Sequence, residues 1–514
     1  MISDVDSDFG MVSVLKYQNN MSSQTRPTIP EYFCGKNVFM TGGTGFVGKV
    51  LIEKLLRSCP DIEDIYLLVR PKKGKSLIER RKEITDAQLF DVIKKENPRV
   101  LDKVKFISGD VTELRLGISE EDEQMLKSKV NIIYHVAASV RFDDALGKAI
   151  ITNVRSVREI IQLALRCINL EVFVHVSTAY CNVDTNFIDE TLYPAPVNWR
   201  DAIELAESDL DLSLYTVKYI SPWPNTYTFS KRIAEHVTHE LCKDKIPAII
   251  VRPSIVVHAD KEPLPGWTDN LNGPFTLVVA GMIGVTSSIY AEKESTLDFI
   301  SVDNVVKGMI IATWDRALRS RDKSNITIYN ACSELLCKMG YFQIYDYETR
   351  NTVFFDKTLW FFDISIYPNY YLFYFSNFRH IAINTAIDLI LRLQGRKPRH
   401  LRLVRTAYIA QLALHFFMAN SFIFDTTNFD QLDSKLEETD RKAFMQTKRP
   451  KGKEDILAYA VDGLSGVKRF VFKEKDMSSE ETSRRAKRFN IMRDCFKFTA
   501  VAVIIYMVLV MWVL

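Results

Sequence analysis

The sequence of 514 residues lacks three features that would assign its class at once: C-x-x-C pairs, a basic and apolar leader, and a large charge of one sign. Its eight cysteines are scattered, which excludes the usual zinc ribbons and indicates free thiols in a reducing compartment. The first ten residues, MISDVDSDFG, are acidic and unlike a secretion signal. A net charge of +3 without an aromatic and basic cluster argues against nucleic-acid binding.

The first two thirds of the chain carry the pattern of a doubly wound sheet. Residues 1–33 are polar, contain Pro27 and Pro30, and are predicted to be a flexible lead. From 34 to 345, apolar strands alternate with helical stretches, which predicts parallel βαβ units covered on both faces, a Rossmann-type α/β domain. The predicted strands are NVFMT, DIYLLVR, VKFISGDV, VNIIYHVAAS, EVFVHVSTAY and AIIVRPSIV.

After residue 345 the composition changes. Twelve aromatic residues lie between Phe354 and Phe378, and two helical segments follow. We predict a mostly helical domain over residues 346–475 and a basic linker over 476–496. The two helical segments are either core helices of this domain or an interfacial contact with lipid, and the sequence leaves both readings open.

The C-terminal segment has no charged residue from 498 to 514. At ~1.5 Å per residue it would span roughly 26 Å, enough for a thin bilayer. A buried helix of this length would show a polar stripe, so we predict a single transmembrane anchor over residues 497–514. The basic stretch before it should stay cytosolic, which predicts that the body of the protein faces the cytosol. The sequence does not decide between the endoplasmic reticulum and the peroxisome as the membrane.

The stretch TGGTGFVG predicts a dinucleotide-binding turn. Gly42, Gly45 and Gly48 are three apart, between a predicted strand and a predicted helix. Glycines allow the tight turn and let a pyrophosphate approach the helix N-terminus, where Phe46 and Val47 also lie. A purely structural turn is the alternative, and the strand before and the helix after disfavour it.

Basic residues after the second strand indicate the type of dinucleotide. NAD sites usually carry an acidic residue there, but this strand ends at Arg70, followed by a loop with Lys73. Such residues suit the 2′-phosphate of NADPH, although a solvated basic loop is the alternative. Asp110 and Val111 end the third strand and are expected at the adenine. Ala137, after the fourth strand, is small enough for the cofactor to lie against the sheet.

The motif YTFSK predicts an acid–base group. Tyr227 and Lys231 are four residues apart and share a helix face, and VSTAY brings Ser177 or Thr178 to the same edge of the sheet. A phenol with a pKa of about 10 is a poor acid–base group at pH 7. We expect Lys231 to lower that pKa and to bond the nicotinamide ribose, and Thr178, with Ser177 as runner-up, to hold a carbonyl oxygen. An ordinary amphipathic turn is the alternative.

Several motifs together resemble a known family. TGGTGFVG, VSTAY, YTFSK and VRPSIV resemble the extended short-chain dehydrogenases/reductases. IYLLVRPKKGKS, HVAASVRFD, PNTYTFSK, NGPF and ISVDNVV resemble the fatty acyl-CoA reductases, and the resemblance covers roughly residues 34–475.

The resemblance implies a membrane-bound enzyme that reduces a long-chain acyl-CoA to a primary alcohol with two NADPH, through an aldehyde. It implies catalytic roles for Tyr227, Lys231 and Thr178, and cofactor roles for Arg70 and the glycines of TGGTGFVG. Two alternatives remain: a nucleotide-sugar epimerase or dehydratase of the same extended fold, and a non-catalytic scaffold tethered to a membrane.

Overall fold

A computed structural model describes most of the chain. The described residues are 26–71, 77–208, 210–271, 273–319, 322–333, 336–341, 348–358, 363–395, 397–398, 400–447 and 452–513. The strands are β1 (Asn37–Thr41), β2 (Asp64–Val69), β3 (Val104–Ser108), β4 (Ile132–His135), β5 (Val172–Val176), β6 (Phe187–Ile188), β7 (Ala248–Pro253), β8 (Ile255–Val257), β9 (Ser288–Tyr290), β10 (Thr296–Ser301), β11 (Thr327–Ala331), β12 (Leu336–Lys338), β13 (Ser365–Tyr367) and β14 (Ile423–Phe424).

The helices alternate with these strands in the first part of the chain and dominate the last part. They are α1 (Ile29–Phe33), α2 (Phe46–Ser58), α3 (Leu77–Thr85), α4 (Asp91–Glu96), α5 (Glu120–Lys129), α6 (Leu146–Ile150), α7 (Ser156–Ala164), α8 (Trp199–Glu207), α9 (Thr216–Ile220), α10 (Thr226–Cys242), α11 (Phe275–Met282), α12 (Val302–Leu318), α13 (Tyr370–Leu393), α14 (His400–Ala419), α15 (Thr427–Asp430), α16 (Glu438–Phe444), α17 (Lys453–Gly466) and α18 (Ser479–Val513).

The main sheet has seven parallel strands in the order β11-β7-β5-β4-β1-β2-β3. The predicted doubly wound parallel sheet is therefore confirmed, and six of its strands are the six predicted. The seventh, β11, was not predicted. The strand order reverses between β1 and β4, and ligands of such sheets bind where this reversal occurs, outside the carboxyl ends of the strands.

Both faces of the sheet are covered, because side chains alternate along each strand. On β1, Val38 and Met40 join the hydrophobic cluster that contains α2 and α12. Phe39, between them, joins the cluster on the other face, which contains α7 and α10. This two-sided burial explains why the strands are almost continuously apolar.

The predicted flexible lead is wrong for its last residues. Ile29–Phe33 is a helix, and Thr28 forms a capping box with Glu31 at its start. The backbone N–H of Ile29 donates to Asp440 Oδ2 at 2.9 Å, and Trp314 Nε1 donates to Pro27 O at 2.9 Å. These bonds fasten the segment to α16 and α12. Residues 1–25 lie outside the described part of the chain.

The C-terminal helices share the cores of the sheet domain. Four residues of α15, α16 and the turn between them pack in the same cluster as α12; they are Phe429, Leu432, Leu436 and Phe444. On the other face, Phe417 of α14 and Leu464 of α17 join the cluster that contains α10. The predicted helical content is present, but these helices complete the core of the sheet domain. The predicted boundary at 345/346 lies outside the described residues.

Most of the segment predicted as a linker, 476–496, is helical, because a helix begins at Ser479. Helix α18 runs from Ser479 to Val513 without a glycine or proline, so nothing in its sequence interrupts it. Its first half packs against the body, where Ala486 is buried beside Phe354 and Arg485 binds Asp356 at 2.9 Å. Within the described residues, no helix meets the length and hydropathy required for a membrane crossing.

Candidate active site

The glycine turn between β1 and α2 lies at the point where the strand order reverses. Gly42 has φ +76°, and a Cβ on it would lie 2.5 Å from the backbone nitrogen of Ala137. A Cβ on Gly48 would lie 2.3 Å from Gly42 O, so both positions require glycine. Gly45 is less crowded, since its Cβ would meet only Gly42 O at 3.2 Å. Because Gly45 has no side chain, space is left open at the start of α2; this space is called the cradle below.

This cradle suits the pyrophosphate of a dinucleotide. Gly45 is the N-cap of α2, and no side chain caps that helix end. The free N–H groups and the dipole of a helix N-terminus favour an anion. Phe46 and Val47 form the first turn and are half-buried, with Phe46 stacked on Trp267 at 5.4 Å. The arrangement fits the cofactor that the glycine motif predicts.

The other predicted cofactor residues lie at the ends of the neighbouring strands. Arg70 follows β2 directly and is exposed, whereas Lys73 lies outside the described residues. Asp110 follows β3, and its Oδ1 accepts from the N–H and the hydroxyl of Thr112, both at 2.9 Å. Val111 is half-buried. Ala137 follows β4 and touches the glycine turn, as described above.

Tyr227, Lys231 and Thr178 meet at the same edge. Asn225 caps α10 by accepting from Thr228 N at 2.9 Å, which fixes the first turn that carries Tyr227. The Tyr227 side chain is hydrogen-bonded to that of Thr178. Lys231 is buried and donates to the carbonyl of Val176, at the end of β5, at 2.7 Å.

Burial controls the acidity of both groups. It raises the pKa of Tyr227 to about 12, and the bond to Thr178 only partly offsets this. It lowers the pKa of Lys231 to about 8, although Cys181 and Glu235 oppose the shift. The expected lowering of the phenol pKa by Lys231 is therefore wrong for this structure. The reason is that desolvation penalises the phenolate strongly, and the Lys231 ammonium is bonded to a backbone carbonyl.

Ser177, the runner-up to Thr178, belongs to a different group of side chains. It hydrogen-bonds Glu235, which forms a fully buried ion pair with Arg252 at 2.7 Å. Burial acts to raise the pKa of Glu235, but Arg252 and the bonds from Ser177 and Cys181 outweigh it, so the net pKa is lowered. The carboxylate thus stays charged one helical turn below Lys231.

This ion pair was missed in the sequence. Its signal was present, because Arg252 interrupts the apolar strand AIIVRP and Glu235 follows Lys231 by four residues on one face of α10. Charged residues at such positions are rarely buried unless paired. Arg252 also donates to the carbonyls of Asp189 at 3.0 Å and Thr191 at 2.8 Å. These bonds join the ion pair to the loop that follows β6.

Asn153 is a second residue that the sequence did not reveal. It lies in a π-helical turn, Ile151–Arg155, a type of irregularity frequent at functional sites. Its amide accepts from Ser139 N at 2.8 Å and donates to Ser230 Oγ at 3.0 Å. It therefore connects the loop after β4 with the YTFSK turn. An asparagine within a helix pattern carries no sequence signal for such a role.

Aromatic side chains form the wall next to Tyr227. Phe142 stacks on the Tyr227 ring with centroids 5.9 Å apart, and Phe417 lies 5.5 Å from Phe142. Tyr180 contacts Phe417 at 5.4 Å and Phe424 at 5.3 Å. The site thus has a polar edge on the strand ends and an apolar wall contributed partly by the C-terminal helices.

Two buried histidines lie under Lys231. The rings of His135 and His175 are stacked with centroids 5.8 Å apart, and His135 Nδ1 is 2.8 Å from Thr41 Oγ1. Burial, with Lys231 as a second cause, lowers the pKa of His135 to about 3 and that of His175 well below its usual value. Both imidazole rings are neutral at pH 7. They therefore add no positive charge next to the Lys231 ammonium.

Comparisons with known proteins identify the family of this chain. Two family models, both described as male sterility protein, match residues 40–309 and 379–474. Fatty acyl-CoA reductase 1 of Rattus norvegicus is 36% identical over 489 residues, which are 93% of this chain and 92% of that protein. The chain belongs to the fatty acyl-CoA reductase family.

Further comparisons agree with this fatty acyl-CoA reductase assignment. Fatty acyl-CoA reductase 2 of Homo sapiens is 35% identical over 488 residues, 94% of this chain and 93% of that protein. Among solved structures, the terminal R domain of the myxalamid biosynthetic pathway has a TM-score of 0.58 at 16% identity, covering 86% of this chain and 93% of that one. That likeness shows the fold alone. As a member of this reductase family, the chain is an oxidoreductase that uses a nicotinamide cofactor.

Proposed function

We propose that the protein reduces long-chain acyl-CoA to the primary fatty alcohol, with two equivalents of NADPH and a fatty aldehyde between the two steps. The observation that carries the proposal is the meeting of Thr178, Tyr227 and Lys231 beside a dinucleotide cradle at the reversal point of the sheet. The near full-length identity with proteins named fatty acyl-CoA reductase supports the choice of substrate.

Tyr227 is the proton donor in both reductions. Its raised pKa of about 12 keeps the phenol protonated at pH 7. The bound cofactor supplies the hydride. Tyr227 gives its proton to the oxygen of the carbonyl group as charge develops there, and the Thr178 hydroxyl, already bonded to the phenol, orients that oxygen. The hemithioacetal formed in the first reduction returns its hydroxyl proton to Tyr227 as its C–S bond breaks, and CoA leaves as the thiolate, which takes a proton from solvent. The aldehyde stays, and the reprotonated Tyr227 donates again in the second reduction.

Lys231 is the residue that we expect to bond the nicotinamide ribose of the cofactor. With a pKa of about 8, its side chain is mostly charged at pH 7 and can donate to the ribose hydroxyls. The bond to Val176 O holds Nζ in place for this role. The aromatic wall of Phe142 and Phe417 excludes water from this side, which suits an aldehyde that must be retained.

The activity is tested directly with purified protein, palmitoyl-CoA and NADPH. We expect hexadecanol and free CoA, identified by mass spectrometry, with two NADPH consumed per alcohol. A nucleotide-sugar epimerase would leave palmitoyl-CoA intact and would convert a UDP-sugar without net consumption of cofactor. A protein that turns over neither substrate would be a scaffold, and the proposal would be wrong.

The preference for NADPH rests on Arg70. Its exposed side chain follows β2, beside the glycine turn, where a guanidinium can bond the 2′-phosphate. Arg70→Ala should raise the apparent KM for NADPH by roughly 10–150-fold, from the loss of ~1.5–3 kcal/mol, and hardly change that for NADH. The control is Arg81→Ala, an arginine that binds Asp102 before the amino end of β3, away from the carboxyl ends of the strands where Arg70 lies. Equal losses for both cofactors would mean that Arg70 only shapes the loop.

The proposed membrane anchor is the segment 497–514. Its described apolar side chains are exposed along α18, among them Phe498, Ile505 and Leu509. Several neighbouring side chains lie outside the described residues. The basic residues that precede the segment favour a cytosolic position for the body of the protein, on the endoplasmic reticulum or the peroxisome.

Removal of residues 497–514 tests the anchor. We expect the full chain to stay in the membrane during extraction with alkaline carbonate. The truncated protein should be extracted by carbonate, with its reductase domain still folded. Protease added to intact organelles should digest the reductase domain of the full chain. Protection of that domain would reverse the proposed topology, and resistance of the truncated protein to carbonate would refute this anchor.

A further inference from the structure

The antiparallel pair α13 and α14, here called the α13–α14 hairpin, exposes an unusual number of large apolar side chains. They are Tyr370, Tyr371, Leu372, Tyr374, Phe375, Phe378, Leu389, Ile390, Leu393, Leu401, Leu403, Ile409 and Leu412. Soluble monomers rarely expose contiguous apolar patches of this extent, and such patches mark sites of interaction.

The inner face of the hairpin is polar. The residues of α13 that are buried are Phe373, Ser376, Asn377, His380, Asn384 and Asp388. Five of these six are polar, whereas a helix of a soluble protein buries its apolar stripe and exposes its polar one. The polarity of α13 is therefore inverted, which is the arrangement of helices that face lipid.

Two of the five inner polar residues of α13 bond the reductase domain, whereas Asn377 and Asn384 donate to carbonyls of α13 itself, at 3.0 and 2.8 Å. Ser376 Oγ is 2.6 Å from Ser288 Oγ, and His380 Nε2 is 2.7 Å from Val285 O. On α14, Gln411 accepts from Tyr290 N at 3.2 Å. The hairpin is thus attached to β9 and the residues before it through hydrogen bonds. The side chains at the inner positions make these hydrogen bonds, so the apolar side chains of the hairpin are left on its outer face. Their exposure therefore follows from the fold.

The charge of the hairpin matches an anionic surface. Between residues 370 and 419 there are seven Arg and Lys residues and one acidic residue, Asp388. Asp388 is buried and accepts from the backbone N–H groups of His400 and Leu401 at 3.1 and 3.0 Å, which caps α14. Arg379, Arg402 and other basic residues are exposed. Basic residues beside an apolar face attract anionic lipid headgroups.

A second contact joins the start of the hairpin to the start of the apolar tail. Asp363, which precedes β13 and α13, binds Arg493 at 2.9 Å and also pairs with Lys497. Lys497 is the last charged residue before the apolar end of the chain. The hairpin therefore begins at the same end of the molecule from which the proposed anchor leaves.

We infer that the α13–α14 hairpin lies in the surface of a lipid bilayer, with its aromatic outer face among the headgroups and upper acyl chains. This membrane contact is separate from the C-terminal anchor. Tyrosine and phenylalanine suit that depth, since aromatic rings concentrate at membrane interfaces. A second copy of the chain is a poorer occupant, because a symmetric contact would oppose like-charged arginines.

The contact also gives the site a route to lipid. Phe417 near the end of α14 packs on Phe142, which stacks on Tyr227. The inner end of the hairpin is thus part of the wall of the candidate active site. If the proposed function holds, an acyl chain can reach Tyr227 from the bilayer along this wall. The lipid contact itself does not depend on that activity.

The test is spin-label accessibility in the full chain bound to vesicles of phosphatidylcholine and phosphatidylserine. A nitroxide is placed through Phe375→Cys, at a position 74% exposed, with the exposed Cys34 and Cys495 changed to serine. The matched control is Ile168→Cys, 80% exposed in the loop before β5. On vesicles we expect the Phe375 label to lose access to an aqueous nickel chelate several-fold and to gain access to oxygen, while the Ile168 label keeps its water accessibility.

Four outcomes would overturn the inference. A Phe375 label as accessible to nickel as the Ile168 label would leave the hairpin in water. Dipolar broadening between labels would show that a second copy covers the face, and loss of both oxygen and nickel access would show another protein contact. Failure of the chain to float with vesicles would refute the hairpin and the anchor together, whereas missing palmitoyl-CoA reduction would refute only the proposed function. Leu372→Cys repeats the test if Phe375→Cys does not fold.

Discussion

Helices α10 and α13 both bury polar or charged side chains, although an amphipathic helix normally buries its apolar face. Helix α10 carries Lys231, Arg232 and Glu235 into the core, next to Phe229 and Ile233. Helix α13 buries serine, asparagine and histidine, and exposes tyrosine and phenylalanine. In both, the buried polar groups have partners. They are Arg252 for Glu235 and Val176 O for Lys231 in α10, and the β9 region together with carbonyls of its own helix for α13. A helix face is thus buried when its polar atoms are bonded, whatever its hydropathy.

The largest expected effect comes from breaking the ion pair of α10. Arg252→Met leaves the Glu235 carboxylate buried without its cation, which should cost about 3–5 kcal/mol of unfolding free energy. Thermal and denaturant unfolding of the detergent-solubilised protein measure it. Changing both partners, to Met and Leu, should recover part of the loss because no uncompensated charge remains.

Arg200→Met is the control for this ion pair. Arg200 also binds a carboxylate, Glu240, but at the surface, so its loss should cost less than about 1 kcal/mol. If both substitutions lowered the free energy of unfolding equally, burial of the α10 charges would have no special energetic consequence. The comparison of α10 with α13 would then fail.

The next effect is catalytic. Tyr227→Phe should lower kcat by roughly 100-fold or more, since it removes the proton donor, while NADPH affinity changes only a few-fold. Tyr219→Phe, which removes a phenol from the neighbouring α9, should retain full turnover. Steady-state kinetics with palmitoyl-CoA measure both. If Tyr227→Phe keeps a tenth or more of the wild-type rate, the proton donor is another group.

The pH dependence of kcat/KM should follow Lys231. Its pKa is lowered to about 8, so the ammonium is charged below that pH and neutral above it, while Tyr227, with a pKa of about 12, keeps its proton. We expect kcat/KM to fall by up to about tenfold per pH unit above pH 8. In Lys231→Arg the charge persists, and the descending limb should move to higher pH. A limb that stays near pH 8 in this variant would assign the titration to another group.

The smallest effect belongs to α13. Ser376→Ala leaves the Ser288 hydroxyl buried without this partner and should cost about 1 kcal/mol of stability. Thr385→Ala is the matched control, because its hydroxyl is exposed and bonds only Ile381 O of its own helix, at 2.8 Å. Thermal unfolding compares the two. A Ser376 variant as stable as the control would weaken the view that inward hydrogen bonds hold this helix.

Local pattern was sufficient for the main sheet and the positions of the key motifs. Six strands, the glycine turn and the YTFSK helix follow from short-range periodicity and motif spacing. Strand β11 was missed because TIYNA is a short edge strand with no clear alternation. Helix α1 was missed because it has five residues and depends on a partner more than four hundred residues away, Asp440.

Other features require the three-dimensional structure. The direction of the pKa shift of Tyr227 depends on how deeply the phenol is buried. Residue spacing in the sequence does not reveal that burial. The same holds for the two bonds that Asn153 makes across the site. For α13, hydropathy indicated a core helix or a lipid contact, and only the positions of its polar atoms against β9 show which face is turned inward.

The packing of α15 and α16 against α12 has a consequence for the protein during its synthesis. The hydrophobic surface of α12 that receives Phe429 and Phe444 is made long before those residues exist. At about 5–20 residues per second, the ribosome needs roughly 6–25 s to travel from the end of α12 to the end of α16. During that interval the nascent chain presents an incomplete core to solvent, and helix α1 has no Asp440 to bind. Chaperones that bind apolar segments should therefore associate with ribosomes stalled before residue 444 and leave once it has emerged.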